Sequence, residues 1–348
     1  MTLNDRHQGV LIFPEPDTTS QASECPAAFK SCHASTVLPL EDGTVLAAYF
    51  AGDYEKADNV GIWLSRRTAG TWRPPVCVAK TCGVAHWNPV LFSAPGGVRM
   101  VFKVGKSPET WTSYTMQSCD GGETWSAPEP YPGQAEARGP VRSKPIILSN
   151  GVMLAPNSLE KPGGAWTPCV DASDDWGRCF YKLADIPVNL TDRNGAGFIS
   201  GKGAIQPTLW ESGGGKVHAL LRTSCGFIFR SDSGDYGQTW STAYNAGLPN
   251  NNSGIDVERA GDALYLAMNP ASGDWAERTP LVIMKSADNG ASFTHFLTLA
   301  DTPIDPVTGK PAEFSYPAIA CKNGKLYVTY TYMRRSVAFH EIALADYL

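Results

Sequence analysis

The sequence predicts an all-β protein, a six-bladed β-propeller of four-stranded antiparallel blades, on two observations. A short motif recurs along the chain at a nearly constant spacing. Between its copies the chain reads as strands: apolar, β-branched runs bounded by Gly, Pro, Asn and Asp, with no helical periodicity.

The motif is clearest in "SCDGGETW" (118–125), "SGDYGQTW" (233–240) and "SADNGASF" (286–293). "SDDWGRCF" (173–180) keeps the Ser, Asp, Gly and final aromatic, and "SRRTAGTW" (65–72) keeps only its ends. Taken in chain order, the serines are 53, 55, 60 and 53 residues apart. A repeat of about fifty residues built of strands is the signature of a propeller blade. Ser and Asp side chains bond nearby backbone N–H groups, and Gly takes a positive φ in the turn. The final aromatic plugs the gap between neighbouring sheets. The motif is therefore expected to fold the hairpin between the third and fourth strands of a blade and to carry no chemistry.

Counting strands places blade one at 33–79, blade two at 86–132 and blade three at 143–187. Blade four follows at 204–247, blade five at 254–300 and blade six at 315–345. Blade six is one strand short. "VLIF" at 10–13 is the free strand that completes it, which closes the ring and removes an open edge. The expectation is one domain spanning residues 1–348.

Composition narrows the function. The chain has 348 residues, 43% of them hydrophobic, and a formal net charge of -5 without runs of like charge. Nucleic acid and membrane surfaces are therefore not expected partners. No apolar stretch is long enough to span a bilayer. The start has no signal-peptide pattern, and the nine cysteines are irregularly spaced, so a cytoplasmic protein with reduced thiols is expected. No metal motif occurs, and neither a metal nor a cofactor is expected.

In a propeller the heads of the innermost strands converge on the central axis, so residues far apart in sequence share one pocket. His33 heads blade one, and Asp53, Glu55 and Asp58 lie in the loop after its second strand. His86, Trp87 and Asn88 head blade two, and Arg142 and Lys144 head blade three. Gln206 heads blade four, whose second strand ends in Arg222. Asn252 and Asp256 lead into blade five, Arg278 precedes its third strand, and Tyr316 heads blade six. Several cations, one carboxylate, a His and a Tyr in one pocket suit an acidic ligand. His86, before "WNP", is a second titratable ring. Its alternative role is a buried histidine bonding a loop carbonyl.

The repeats and these polar positions resemble the sialidase (neuraminidase) superfamily over nearly the whole chain. The resemblance implies a six-bladed propeller and, as partner, an oligosaccharide or glycoconjugate with an acidic sugar, and it assigns roles residue by residue. Tyr316 in "EFSYPAI" resembles the nucleophile, Asp58 the general acid/base, and Arg222 and Arg278 two arms of an arginine clamp on the sugar carboxylate. Two positions depart. His33 stands where the first clamp arginine would open the family's motif, and Gln206 stands where a Glu would activate the tyrosine. "HAST" is similar to the non-sialidase branch, which includes lyases and glycosidases acting on rhamnose–glucuronate linkages.

Three functions fit this set. The first is a lyase or non-sialidase glycosidase in which His33 and Tyr316 exchange protons while arginines neutralise the carboxylate. The second is a sialidase-type hydrolase with Tyr316 as nucleophile and Asp58 as acid/base. The third is a sugar-binding propeller without catalysis.

Overall fold

The computed structural model describes residues 9–13, 29–131, 136–161, 163–195 and 197–347. Among the described residues it is all-β apart from one 3-10 turn at Leu344–Tyr347, and the strands form six antiparallel sheets. From the axis outward, blade one runs Ser31–Pro39, Val45–Gly52 and Gly61–Thr68. The last of these pairs with both Thr71–Trp72 and Val76–Ala79. Blade two runs His86–Ala94, Gly97–Val104, Thr112–Ser118 and Glu129–Pro130. Blade four runs Ala204–Gly213, Lys216–Thr223, Phe227–Ser233 and Tyr244–Pro249. Blade five runs Asp256–Ala260, Ala263–Met268, Leu281–Ser286 and Thr294–Ala300.

Blade three is shorter at the axis than its sequence suggests. Its inner strand is only Ile146–Ile147, ahead of Met153–Glu160, Trp166–Ser173 and Tyr181–Asp185. Pro140 and Pro145 each remove a ladder donor, so the pairing before Ile146 is broken up, with the Val141 N–H still reaching the Pro156 carbonyl at 3.1 Å.

Blade six consists of Phe314–Lys322, Lys325–Tyr332 and Ser336–Ala343, with Val10–Leu11 as its outer strand. Val10 sits opposite Phe339 and Leu11 opposite Ala338. Phe13 then turns in between blades six and one, 5.5 Å from the Phe29 ring and 5.4 Å from the Tyr49 ring. The ring is closed by its N-terminal strand.

Four of the five repeats fold in one way, while Ser65 of the fifth is bonded instead to Tyr49 Oη at 3.0 Å. Ser118 Oγ donates to Asp120 Oδ1 at 2.8 Å and accepts the Gly122 N–H at 2.8 Å, and Asp120 accepts the Thr124 N–H at 2.9 Å. The same bonds recur at Ser173, Ser233 and Ser286 with Gly177, Gly237 and Gly290. Among the described residues the apolar core divides into six clusters, and each lies between one pair of neighbouring blades. Phe180 and Trp240, the final aromatics of two repeats, are buried in two of them. The eight described cysteines are free thiols, and Cys25 lies outside the described residues.

Candidate functional site

Four inner strands break register near their heads. The breaks fall between His33 and Thr36, Trp87 and Val90, Ile205 and Thr208, and Ser315 and Ala318. At each break a residue other than glycine takes a positive φ: Ala34 (53°), Asn88 (42°), Gln206 (51°) and Tyr316 (52°). Three of the four precede a proline, which normally forces an extended backbone on its predecessor. A bulge re-aims side chains, and backbone strain of this kind is held where the fold over-determines it. Here it turns His33, Trp87, Asn88, Gln206 and Tyr316 into one central cavity of about 310 Å³.

Tyr316 is the centre of the charge arrangement. The guanidinium carbons of Arg142, Arg222 and Arg278 lie 5.4, 5.5 and 5.7 Å from its ring centroid. Arg222 Nη1 donates to Tyr316 Oη and, at 3.0 Å, to Gln206 Oε1, while its Nε donates to Asn252 Oδ1 at 2.8 Å. Asn252 in turn donates to Asp274 at 2.6 Å. Arg222 is thus fixed from blades four, five and six at once, and it lines the cavity. Arg278 lies behind the ring, bonded to Glu313 Oε1 at 2.6 Å. Arg142 is buried beneath it, donating to the Pro317 carbonyl, and its Nε has no hydrogen-bond partner.

His33 is buried against this centre, its ring 4.2 Å from that of Tyr316. Its Nδ1 is 2.8 Å from Thr331 Oγ1. Burial first, then the fields of Arg334, Arg278, Arg142 and Arg222, push its pKa well below the ordinary imidazole value. The ring is therefore neutral at physiological pH. Two of the four cations were expected from the family's clamp; Arg334 was not. It sits in a tight turn of blade six at φ 59°, bonded to Glu313 at 2.8 Å and to Glu55 at 2.7 Å. Burial opposes charge on Glu313, but Arg334 and Arg278 more than offset it and hold the carboxyl below its ordinary range.

Several expected residues stand elsewhere. Asp58 is exposed and does not line the cavity. Asn59 Oδ1 accepts the Asp53 N–H at 3.1 Å, and two successive turns at Ala57 and Val60 tighten the loop. That folding presents Glu55 and Lys56 to the cavity in place of Asp58. Lys144 is engaged across the channel by Asp256 at 3.2 Å and Glu258 at 3.0 Å, an ion pair joining blades three and five. Asp256 also accepts from Thr208 at 2.7 Å and from the Ile319 N–H at 3.0 Å, so it ties blades four, five and six together. His86 lies behind the wall, its Nδ1 3.2 Å from the Val84 carbonyl and its ring stacked on Phe102. Trp87 is anchored by its indole N–H on the Gly105 carbonyl at 2.8 Å.

The remaining walls come from the connections between second and third strands and from the strand ends that flank them, where no repeat guides the eye. They bring Trp111, Trp166 and Trp275, which with Trp87 give the cavity flat apolar faces. They also bring Glu109, Glu160 and, ahead of blade four, Lys202. The Arg222 guanidinium and the Lys202 ammonium lie over the Trp166 ring at 5.6 and 5.7 Å. Burial raises the pKa of Glu160 above the ordinary carboxylate value although Arg222 and Lys202 oppose the rise. The inner-strand heads carry a residue-before-proline pattern, in "WNP", "IQP" and "SYP", that these further wall residues lack.

The cavity therefore combines a phenol among guanidinium groups, a neutral imidazole, a protonatable carboxyl and four tryptophan faces. The family described as BNR repeat-like domain matches residues 43–328. No curated protein matches by sequence. Among solved structures, a Hadza microbial sialidase superposes with a TM-score of 0.77 at 14% identity, over 97% of this chain and 69% of that one. A Dyadobacter fermentans protein of unknown function gives 0.74 at 15% identity, over 97% and 98%. A leech intramolecular trans-sialidase gives 0.69 at 15% identity, over 92% and 69%. At such identities the likeness concerns the fold.

Proposed function

The chain belongs to the BNR repeat-like family, and on that premise we propose that it is a glycosidase releasing a terminal acidic sugar from a glycoconjugate. One observation carries this reading. Three guanidinium groups surround the Tyr316 ring at 5.4–5.7 Å, and one of them, Arg222, faces the cavity. Such a cluster complements a sugar carboxylate, and tryptophan faces pack on sugar C–H groups. The sialidase folds that superpose on this chain support the same class of reaction.

In this reading Tyr316 Oη is the nucleophile at the anomeric carbon. Arg222, donating to that oxygen, complements the negative charge that develops there. Gln206 accepts from Arg222 and so orients it, in the place where the resemblance puts an activating Glu. His33 serves as a neutral wall against the tyrosine ring. Elimination from a uronate is the second reading. It needs a base to remove a C–H proton, and an imidazole held far below its ordinary pKa is a weak one.

The test is incubation with a panel of oligosaccharides capped by sialate or uronate, with products followed by mass and ultraviolet absorbance. Release of a saturated acidic sugar, lost in Tyr316→Phe, is the expected result. An unsaturated uronate product would favour elimination. Binding without turnover across the panel would leave a sugar-binding propeller.

A further inference from the structure

We propose that Glu160 is the proton donor to the leaving group, and that the groove between blades two and three holds that leaving group. The inference rests on the glycosidase reading above and adds to it an acid and a second subsite. Its first observation is the shape of the surface. A groove of about 490 Å³ opens beside the central cavity, and the two share the wall formed by Pro108, Glu109, Trp111 and Glu160. A glycosidic bond whose acidic sugar sits over Tyr316 and whose other half leaves through this groove must cross that wall.

The second observation is which carboxyl can hold a proton there. The carboxylates of the central wall, among the described residues, are Glu55, Glu109 and Glu160. Glu55 is engaged by the Arg334 guanidinium at 2.7 Å, an ion pair that turns its carboxylate toward blade six. Glu109 is exposed. Glu160 is half-buried at the end of a strand, paired in register with Trp166, so it rests on a rigid element. Burial raises its pKa above the ordinary carboxylate value against the opposing fields of Arg222 and Lys202, the direction that a general acid needs. Asp58, the acid that the family resemblance assigns, is exposed and off the cavity wall, so the position between the two sugars falls to Glu160.

The step balances simply. Tyr316 Oη bonds the anomeric carbon and gives its proton to solvent, while the bond to the leaving oxygen breaks with its electron pair on that oxygen, which takes the Glu160 proton. Water then displaces Tyr316 Oη, leaving hydroxyl on the anomeric carbon; its other proton restores Glu160, and Tyr316 Oη regains a proton from solvent. The groove walls unique to the second subsite include the hydroxyls of Thr110 and Thr112, the apolar Leu159, and one charge of each sign in Glu136 and Lys161, which suits a neutral, hydroxyl-rich sugar.

The experiment compares two substrates of one acidic sugar, a nitrophenyl glycoside and a disaccharide. Nitrophenolate leaves without a proton; a sugar alkoxide does not. Glu160→Gln should lose at least about 100-fold in kcat/KM on the disaccharide and less than about fivefold on the nitrophenyl glycoside. In the wild type, the disaccharide profile should fall on its alkaline side while the nitrophenyl profile does not, a readout independent of how the variant folds. Equal loss on both substrates together with matching wild-type profiles would overturn the assignment, as would full activity of Glu160→Gln on the disaccharide. No turnover of either substrate by the wild type would instead sink the glycosidase reading.

Discussion

His33 shows how one side chain reports its surroundings. Burial and four arginines disfavour its charged form in the folded protein, whereas the unfolded chain protonates near the ordinary value of about 6.5. The folded pKa thus lies below the unfolded one. The unfolded state binds the extra proton first, so stability is fully present above pH ~6.5 and is lost as pH falls below it. The slope approaches about 1.4 kcal/mol per pH unit for each histidine held neutral. His86, also shifted down by burial, adds in the same direction. Urea unfolding between pH 7 and pH 5 should show this loss, and His33→Gln should flatten it by about one proton. An unchanged slope in the variant would mean that His33 is not held neutral.

At the scale of the element, the repeat is a hydrogen-bonding device rather than a site. Ser173 Oγ accepts the Gly177 N–H at 2.8 Å, and the turn needs a glycine there because φ is 77° and a Cβ would meet the Phe92 ring at 2.7 Å. Ser173→Ala leaves that buried N–H without its acceptor, which costs about 1–3 kcal/mol. The expected outcome is a lower urea midpoint with no change in the slope of the transition. The strained heads of the inner strands are the functional counterpart of this turn. There the chain accepts positive φ at Ala34, Asn88, Gln206 and Tyr316 to aim side chains at the axis.

At the scale of the whole molecule, closure by the N-terminal strand joins the two ends of the ring. Phe13 is buried between blades six and one, its carbonyl accepting from Ser336 Oγ at 2.7 Å. Phe13→Ala should cost about 3–5 kcal/mol and lower the thermal midpoint, since it empties an interface core and loosens the last blade. A midpoint shift no larger than that of a surface substitution would show that the ring is closed by other contacts.

The fold was legible because its signals are local and repeated. The serine-to-glycine turn, the plugging aromatic and the short sixth blade can each be seen in a few residues. The site was legible only in part. Arg222, Gln206, Tyr316 and His33 sit at strand heads and ends whose position the repeat fixes. Glu160 and Trp166 are the facing strand ends of one connection, and Lys202 and Arg334 come from a loop and a tight turn, and none of these connections has a length that follows the repeat. Their approach depends on how three separate blades tilt toward the axis. Asp58 was misplaced for a related reason. The loop "GDYEKADN" is dense in charge, and only its turns at Ala57 and Val60 decide which carboxylate faces inward.

The central claim, that this cavity recognises the carboxylate of a terminal sugar through Arg222, is tested most directly by removing that carboxylate. The measurement is kcat/KM for a nitrophenyl glycoside of the acidic sugar against the same compound with its carboxylate reduced to an alcohol. Charge-assisted hydrogen bonds contribute about 1.5–3 kcal/mol each, so the wild type should favour the acid by roughly 10- to 150-fold or more. That preference should shrink toward unity in Arg222→Ala. Equal rates on the two glycosides in the wild type, or a preference that survives in Arg222→Ala, would contradict the account.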